Sequence, residues 1–268
     1  MSSALRKAYL GLILLFLYMP IAVLVALSFN ESRARGNWTG FSLHWYVQLF
    51  RDPTITRALY NTIAIAVLAS AVATVFGTIA AVGLHSMGRR SRRMWLSVSE
   101  LPVFNADIVT GVSLMVLFIS FFRIFNFGSL GFGTLLIAHI VFDTPYVILA
   151  VMPKLRQLDK NLYEAALDLG ATPRYAFFKV ILPEIAPGVI TGAMLAFTMS
   201  IDDFIISFFT TGSGVNNIST IVYSMARRGI NPKINALSAL MFAVVIIMLF
   251  IINKRDTVRG SEGNRAKR

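Results

Sequence analysis

Acidic side chains set inside long apolar runs are the residues of this sequence best placed to do chemistry. Asp107, Asp143, Asp202 and Asp203 fall within stretches built mainly from Ile, Leu, Val, Phe and Ala, and Glu100 lies nearer the start of one of them. At about 1.5 Å per helical residue, Asp107 is roughly 18 Å along from Trp95 and Asp202 roughly 24 Å from Ala186, near the middle of a bilayer. A carboxylate there costs at least about 2.5–3.5 kcal/mol. No Lys or Arg falls in these runs, and His139 is the one base within reach. The acids therefore call for positive charge from outside: a cationic solute, protons, or a basic group of a partner subunit. Asp143-Thr144-Pro145 reads equally well as a helix break with Asp143 as a cap. Asp202 and Asp203 are about 100° apart on a helix, so one faces a pathway and the other a neighbouring helix or subunit. Phe104, Phe142, Tyr146, Phe204 and Phe208 lie near these acids. Aromatic faces attract ammonium groups, although lipid or core packing is the commoner role of Phe in a span.

The elements that position these acids follow from composition. Of 268 residues, 56% are hydrophobic and 14% charged, with a mean hydropathy of +0.68; a soluble domain is about 25% charged. This is the composition of an all-α integral membrane domain. The chain has no cysteine, which excludes disulfides, thiolate metal sites and Cys nucleophiles. No Gly is followed by Lys, so the phosphate loop of ATP-hydrolysing domains is absent; there is no H-E-x-x-H, and His44, His85 and His139 are scattered. Gly212-Ser213-Gly214 reads as a polar turn and not a nucleophile elbow. A catalytic subunit, a metal centre and a bound cofactor are not expected.

Six apolar runs are long enough to span, at about 8–28, 58–85, 95–122, 128–152, 186–209 and 234–252. The first has the basic flank of a signal peptide but is long for one, and counts as a span. With both termini in the cytoplasm, 17 of the 25 Lys and Arg residues fall inside and eight outside, which obeys the positive-inside rule. The net charge of +12 thus reflects topology and not nucleic acid, and the basic tail from Lys254 lies at the lipid headgroups. Residues 41–50, FSLHWYVQLF, predict an external amphipathic helix with aromatics at the interface.

One polar segment stands between apolar runs: NLYEAALDLGATPRYAFFKVILPEIAPG, residues 161–188. Asn161 with Glu164 predicts a capping box. Leu162, Ala165, Ala166 and Leu169 form a stripe at helical spacing, and Gly170 is placed to end the helix. Thr172 and Pro173 predict the cap and first residue of a second helix, which presents Phe177, Val180 and Ile181. Pro183 and Pro187 predict a break before the fifth span. Two readings compete, a pair lying on lipid and a pair docked in a protein groove; the acidic flanks favour the groove.

EAALDLGATPRYAFFKVILP resembles the signature of ABC-importer permeases: Glu164, Ala165, Ala166, then Gly170, then Ile181, Leu182 and Pro183. LSFNES, WYVQLF, DIVTGVSLMVLF, AFTMSIDDFIISFF and GINPKINALS extend the likeness over nearly the whole chain, to the spermidine/putrescine permeases of the C type. One departure is FNADIV at 104–109, where Ala106 replaces the Pro expected before Asp107. The resemblance implies a six-span, type I (MetI-like) permease domain. Its 161–183 segment is the coupling element, with Glu164, Ala165, Ala166, Asp168, Gly170 and Pro183 docking a separate ATPase. It also implies a second, B-type permease, an ATPase dimer that holds the ATP and Mg, an extracytoplasmic polyamine-binding protein, and residence in a bacterial inner membrane. Asp107, Asp143, Tyr146, Asp202 and Asp203 are the candidates for the substrate path. Two competing readings are a secondary cation transporter that uses the same carboxylates and an ABC permease for another solute.

Overall fold

The computed structural model describes residues 3–32, 37–126, 128–159, 161–212, 214–228 and 232–247. Among these the chain is helical, apart from a single antiparallel bridge between Asn30 and Phe41. Five helices are long and apolar enough to cross a membrane. They are α1 (Ser3–Ser28), α3 (Pro53–Ser86), α5 (Asp107–Phe125), α6 (Phe132–Gln157) and α8 (Pro173–Asp202). Shorter helices are α2 (His44–Arg51), α4 (Arg89–Phe104), α7 (Leu162–Asp168), α9 (Ile205–Thr210), α10 (Ile218–Arg228) and α11 (Pro232–Ile247). α11 begins where the sixth run was expected, and the expected end of that run, at 252, lies outside the described residues.

Two expected spans are divided. The run at 95–122 splits into α4 and α5 because Asn105 and Ala106 are extended, with ψ of 151° and 132°. Ala106 fills the cap position of α5 without a side-chain bond. The break therefore does not depend on a proline: Pro102 and Asn105 weaken the end of α4, and Asp107 suits the positive start of α5. The run at 186–209 is divided after Asp202, where Asp203 is extended (ψ 124°). The break predicted at Pro183 and Pro187 is absent, since both lie inside α8. A π turn at Phe177–Ile181, in which Leu182 N–H donates to the Phe177 carbonyl, directly precedes Pro183. Its wider register accommodates a residue that cannot join the normal ladder.

The chain divides into two compact units, one formed by residues 58–220 and the other by 1–57 with 221–268. In the first, α3, α6 and α8 meet around Ala73, Ala81, Val147, Val151, Ile185 and Ala196. Close approach depends on small residues, as is usual between membrane helices. A Cβ on Gly192 would stand 3.1 Å from Val147 Cα, one on Gly188 2.7 Å from Lys154 Cγ, and one on Gly77 2.7 Å from Val147 Cβ. A second cluster joins α5, α6 and α9 through Phe118, Ala138, Phe142 and Ile206. In the other unit, the end of α1 is tied to α2. Ser28 Oγ lies 2.7 Å from the Tyr46 hydroxyl, Trp45 Nε1–H donates to the Asn30 carbonyl at 2.7 Å, and Phe29 stacks on Phe41. α2 buries Trp45 and Leu49.

Candidate functional site

The polar segment is a helix–turn–helix in which α7 leads through a tight turn into α8. α7 ends in a Schellman motif. Gly170 N–H donates to the Leu167 carbonyl at 2.9 Å and Ala171 N–H to the Ala166 carbonyl at 3.1 Å. Gly170 has φ +85°, a conformation that disfavours any side chain. Thr172 caps the next helix, its Oγ1 accepting from Tyr175 N–H at 3.4 Å, with Pro173 in the first position.

The capping box expected at the start of α7 does not form. Asn161 adopts helical angles and makes no side-chain cap. Asp159 serves instead, its carboxylate accepting from Asn161 N–H at 2.9 Å and its carbonyl from Leu162 N–H. The predicted apolar stripe is only half used. Leu162 packs on the α3–α6–α8 core and Ala166 is buried, but Ala165 is exposed and Leu169 is 90% exposed. Glu164, Asp168, Gly170 and Pro183 are also exposed. One side of α7 is thus anchored while the other displays acids, small residues and a bare leucine.

The acids gather elsewhere in the same unit. Asp107 is exposed in the first turn of α5, not mid-helix as expected. Tyr146 on α6 is within electrostatic range of both Asp107 and Asp143, and Asp143 is within range of Asp203. Four of the five candidate residues therefore occupy one region. Asp202 ends α8 and is exposed, whereas Asp203 is 9% exposed. The two acids do not share a regular helix, which corrects the 100° argument. The Asp203 carboxylate closes the start of α9 by accepting from Ile206 N–H at 3.1 Å and Ser207 N–H at 2.7 Å.

Asp143 caps nothing. α6 runs unbroken through Pro145, with the Thr144 hydroxyl donating to the Ile140 carbonyl at 2.6 Å. The side chain is fully buried, and neither carboxylate oxygen has a hydrogen-bond partner. No Lys or Arg pairs with Asp107, Asp143, Asp202 or Asp203 among the described residues.

A polar network around His139 was not foreseen. Its ring, 1% exposed, has Nδ1 2.7 Å from Ser200 Oγ and Nε2 3.0 Å from Ser207 Oγ. Asn217 Nδ2 donates to the same Ser207 Oγ at 2.7 Å, and Asp203 Oδ2 lies 3.6 Å from Nε2. One imidazole thus joins α6, the end of α8 and α9, and Ser207 extends the network to the loop before α10. The available signal was a lone His in an apolar run, but its partners are 61 to 68 residues away in sequence. Among the described residues, no group of three or more His, Asp or Glu side chains has an arrangement suited to a metal ion.

Residues 73–254 match the family described as "Binding-protein-dependent transport system inner membrane component". The chain is 40% identical over 238 residues to the "Putrescine transport system permease protein PotI" of Escherichia coli K12, covering 88% of this chain and 85% of that one. It is 34% identical over 256 residues to the "Spermidine/putrescine transport system permease protein PotC" of Haemophilus influenzae, covering 94% and 98%. Among solved structures it is similar to a chain of a bacterial alginate ABC transporter, with a TM-score of 0.71 at 18% identity over 94% of this chain and 92% of that one. It is also similar to a chain of the MetNI methionine ABC transporter, with a TM-score of 0.61 at 20% identity over 75% and 93%.

Proposed function

The chain belongs to the binding-protein-dependent transport system inner membrane components, and from that membership we infer that it is the multi-pass permease subunit of an ATP-driven polyamine importer. Relatives named for putrescine and for spermidine and putrescine cover most of its length. It works as a transport subunit; we assign ATP and Mg to a separate ATPase pair. A second, B-type permease completes the path, and an extracytoplasmic binding protein delivers the substrate.

The observation that carries this reading is the junction of α7 with α8. An anchored helix with an exposed Glu164–Gly170 edge passes through one tight turn into a single helix that ends at Asp202. The exposed edge suits a groove on the ATPase, an apolar and acidic helix face being a standard docking mode. We place this segment and both termini in the cytoplasm, as the distribution of Lys and Arg favours. Beyond this junction, Asp202 at the end of α8 and Asp107 with Tyr146 offer two stations for ammonium groups, and spaced weak sites allow a polycation to leave as well as enter.

The test is reconstitution of the full complex in proteoliposomes with labelled putrescine and spermidine. Uptake is expected to require ATP and the binding protein and to persist when ionophores collapse ion gradients. Uptake driven by a proton or sodium gradient without ATP would favour the secondary-transporter reading and overturn this one.

A further inference from the structure

Asp143 is a buried acid with an unmade interaction. It sits in the middle of α6 at 0% exposure, and neither carboxylate oxygen has a donor among the described residues. As an ion it would be a buried charge without compensation. As a neutral acid it would still leave its hydroxyl and carbonyl unpaired, which native interiors rarely tolerate. A proton alone therefore does not complete the site. A species that brings positive charge together with several N–H donors does, and a primary ammonium brings one charge and three donors.

The surroundings suit that group. Phe142 and Tyr146, one residue before and three after Asp143 on α6, form an edge-on aromatic pair with ring centroids 5.4 Å apart, and aromatic faces attract ammonium ions. The titratable groups nearby are Asp203 at the α8–α9 break, Tyr146, and His139 one turn earlier on α6, with Asp107 reached through Tyr146. His139 is not a free donor to Asp143, because both ring nitrogens are already engaged with Ser200 and Ser207.

The short element packed on α6 in this region is α9. This six-residue helix is bounded by the break at Asp203–Phe204 and by the loop from Thr211. It is held to α6 by two polar contacts, His139 to Ser207 and the Thr134 hydroxyl to the Thr210 carbonyl at 2.8 Å, and by packing of Ile206 with Ala138 and Phe142. The α8 side of α6 is fixed by the contact of Gly192 with the Val147 backbone. We propose that Asp143 is an occluded subsite for one ammonium group of a polyamine, opened when α9 shifts from α6. This rests on the importer reading above.

The sequence has no cysteine, so a single thiol at Asp143 reports access. In the reconstituted complex, Asp143→Cys should resist 2-aminoethyl methanethiosulfonate at rest. It should react during ATP turnover. A thiol that never reacts overturns the subsite. Asp143→Asn, which keeps shape and removes charge, should lower kcat/KM for polyamine uptake about tenfold at unchanged complex yield. Wild-type uptake by Asp143→Asn overturns the proposal. If Asp143→Asn fails to assemble, the labelling pattern of Asp143→Cys decides. A wild-type complex that imports no polyamine would instead overturn the importer reading itself.

Discussion

A carboxylate that accepts two backbone N–H groups has much of its charge already answered, and this separates Asp203 from its neighbour Asp202. Asp203 holds the start of α9 and stands 3.6 Å from His139, while Asp202 is exposed at the end of α8. Removing charge from each should therefore fail in a different way. Asp202→Asn is expected to lower polyamine uptake about tenfold while the complex is recovered at normal yield. Asp203→Asn keeps one acceptor oxygen and loses the other, and should cost about 1–2 kcal/mol through the lost N–H bond, seen as a lower Tm and reduced yield before any change in uptake per assembled complex. Equal yields and equal uptake for both variants would refute the division of roles. At this scale the sequence disclosed the kinds of residue but not their company. Asp143 and Asp203 stood out as acids in apolar runs, yet nothing near Asp203 resembles a helix breaker. The break there is supported by Ser200 and Ser207 on His139, contacts too distant in the chain to read from local pattern.

Capping chemistry is local, so the end of α7 was legible: Gly170, Thr172 and Pro173 each occupy the position their residue type predicts. Its start was not, because Asp159 competed successfully for the turn that Asn161 and Glu164 were expected to close. The prolines misled for a related reason, since the preceding π turn lets α8 continue through them. Gly170 offers a sharp test of docking. Among the described residues, chain neighbours aside, nothing lies within 4 Å of where its Cβ would be, but its φ of +85° penalises every side chain. Gly170→Ala should cost about 1–2 kcal/mol of local strain and leave coupling largely intact. Gly170→Trp adds bulk that only a partner would meet, and it should uncouple ATP hydrolysis from uptake or lose the ATPase on purification. A Gly170→Trp complex with normal transport would sink the docking role. In the bundle, Gly192→Leu should overpack against Val147 and destabilise by about 1–3 kcal/mol, measured as a fall in Tm.

Hydrophobic runs are the strongest signal in a membrane sequence, which is why an all-helical membrane chain was evident from composition while the divisions at 105–106 and 203–204 were not. Length and hydropathy do not register so short an extended step, two residues at Asn105–Ala106 and one at Asp203. Orientation is testable across the whole chain because single cysteines can be introduced without background. A thiol at Arg174 should resist membrane-impermeant reagents in intact cells, and one at Asn216 should react; the reverse pattern would invert the topology. The continuity of α8 has a mechanical consequence. Thirty residues from Pro173 to Asp202 form one rod, about 45 Å long at 1.5 Å per residue. Its tightest contacts with α6, at Gly188 and Gly192, lie past its midpoint and make a natural fulcrum. A tilt of about ten degrees there would carry Pro173 about 4 Å one way and Asp202 about 3 Å the other. On the proposed docking role, a push delivered at the exposed turn would arrive at Asp202 reversed in direction and only slightly reduced in size.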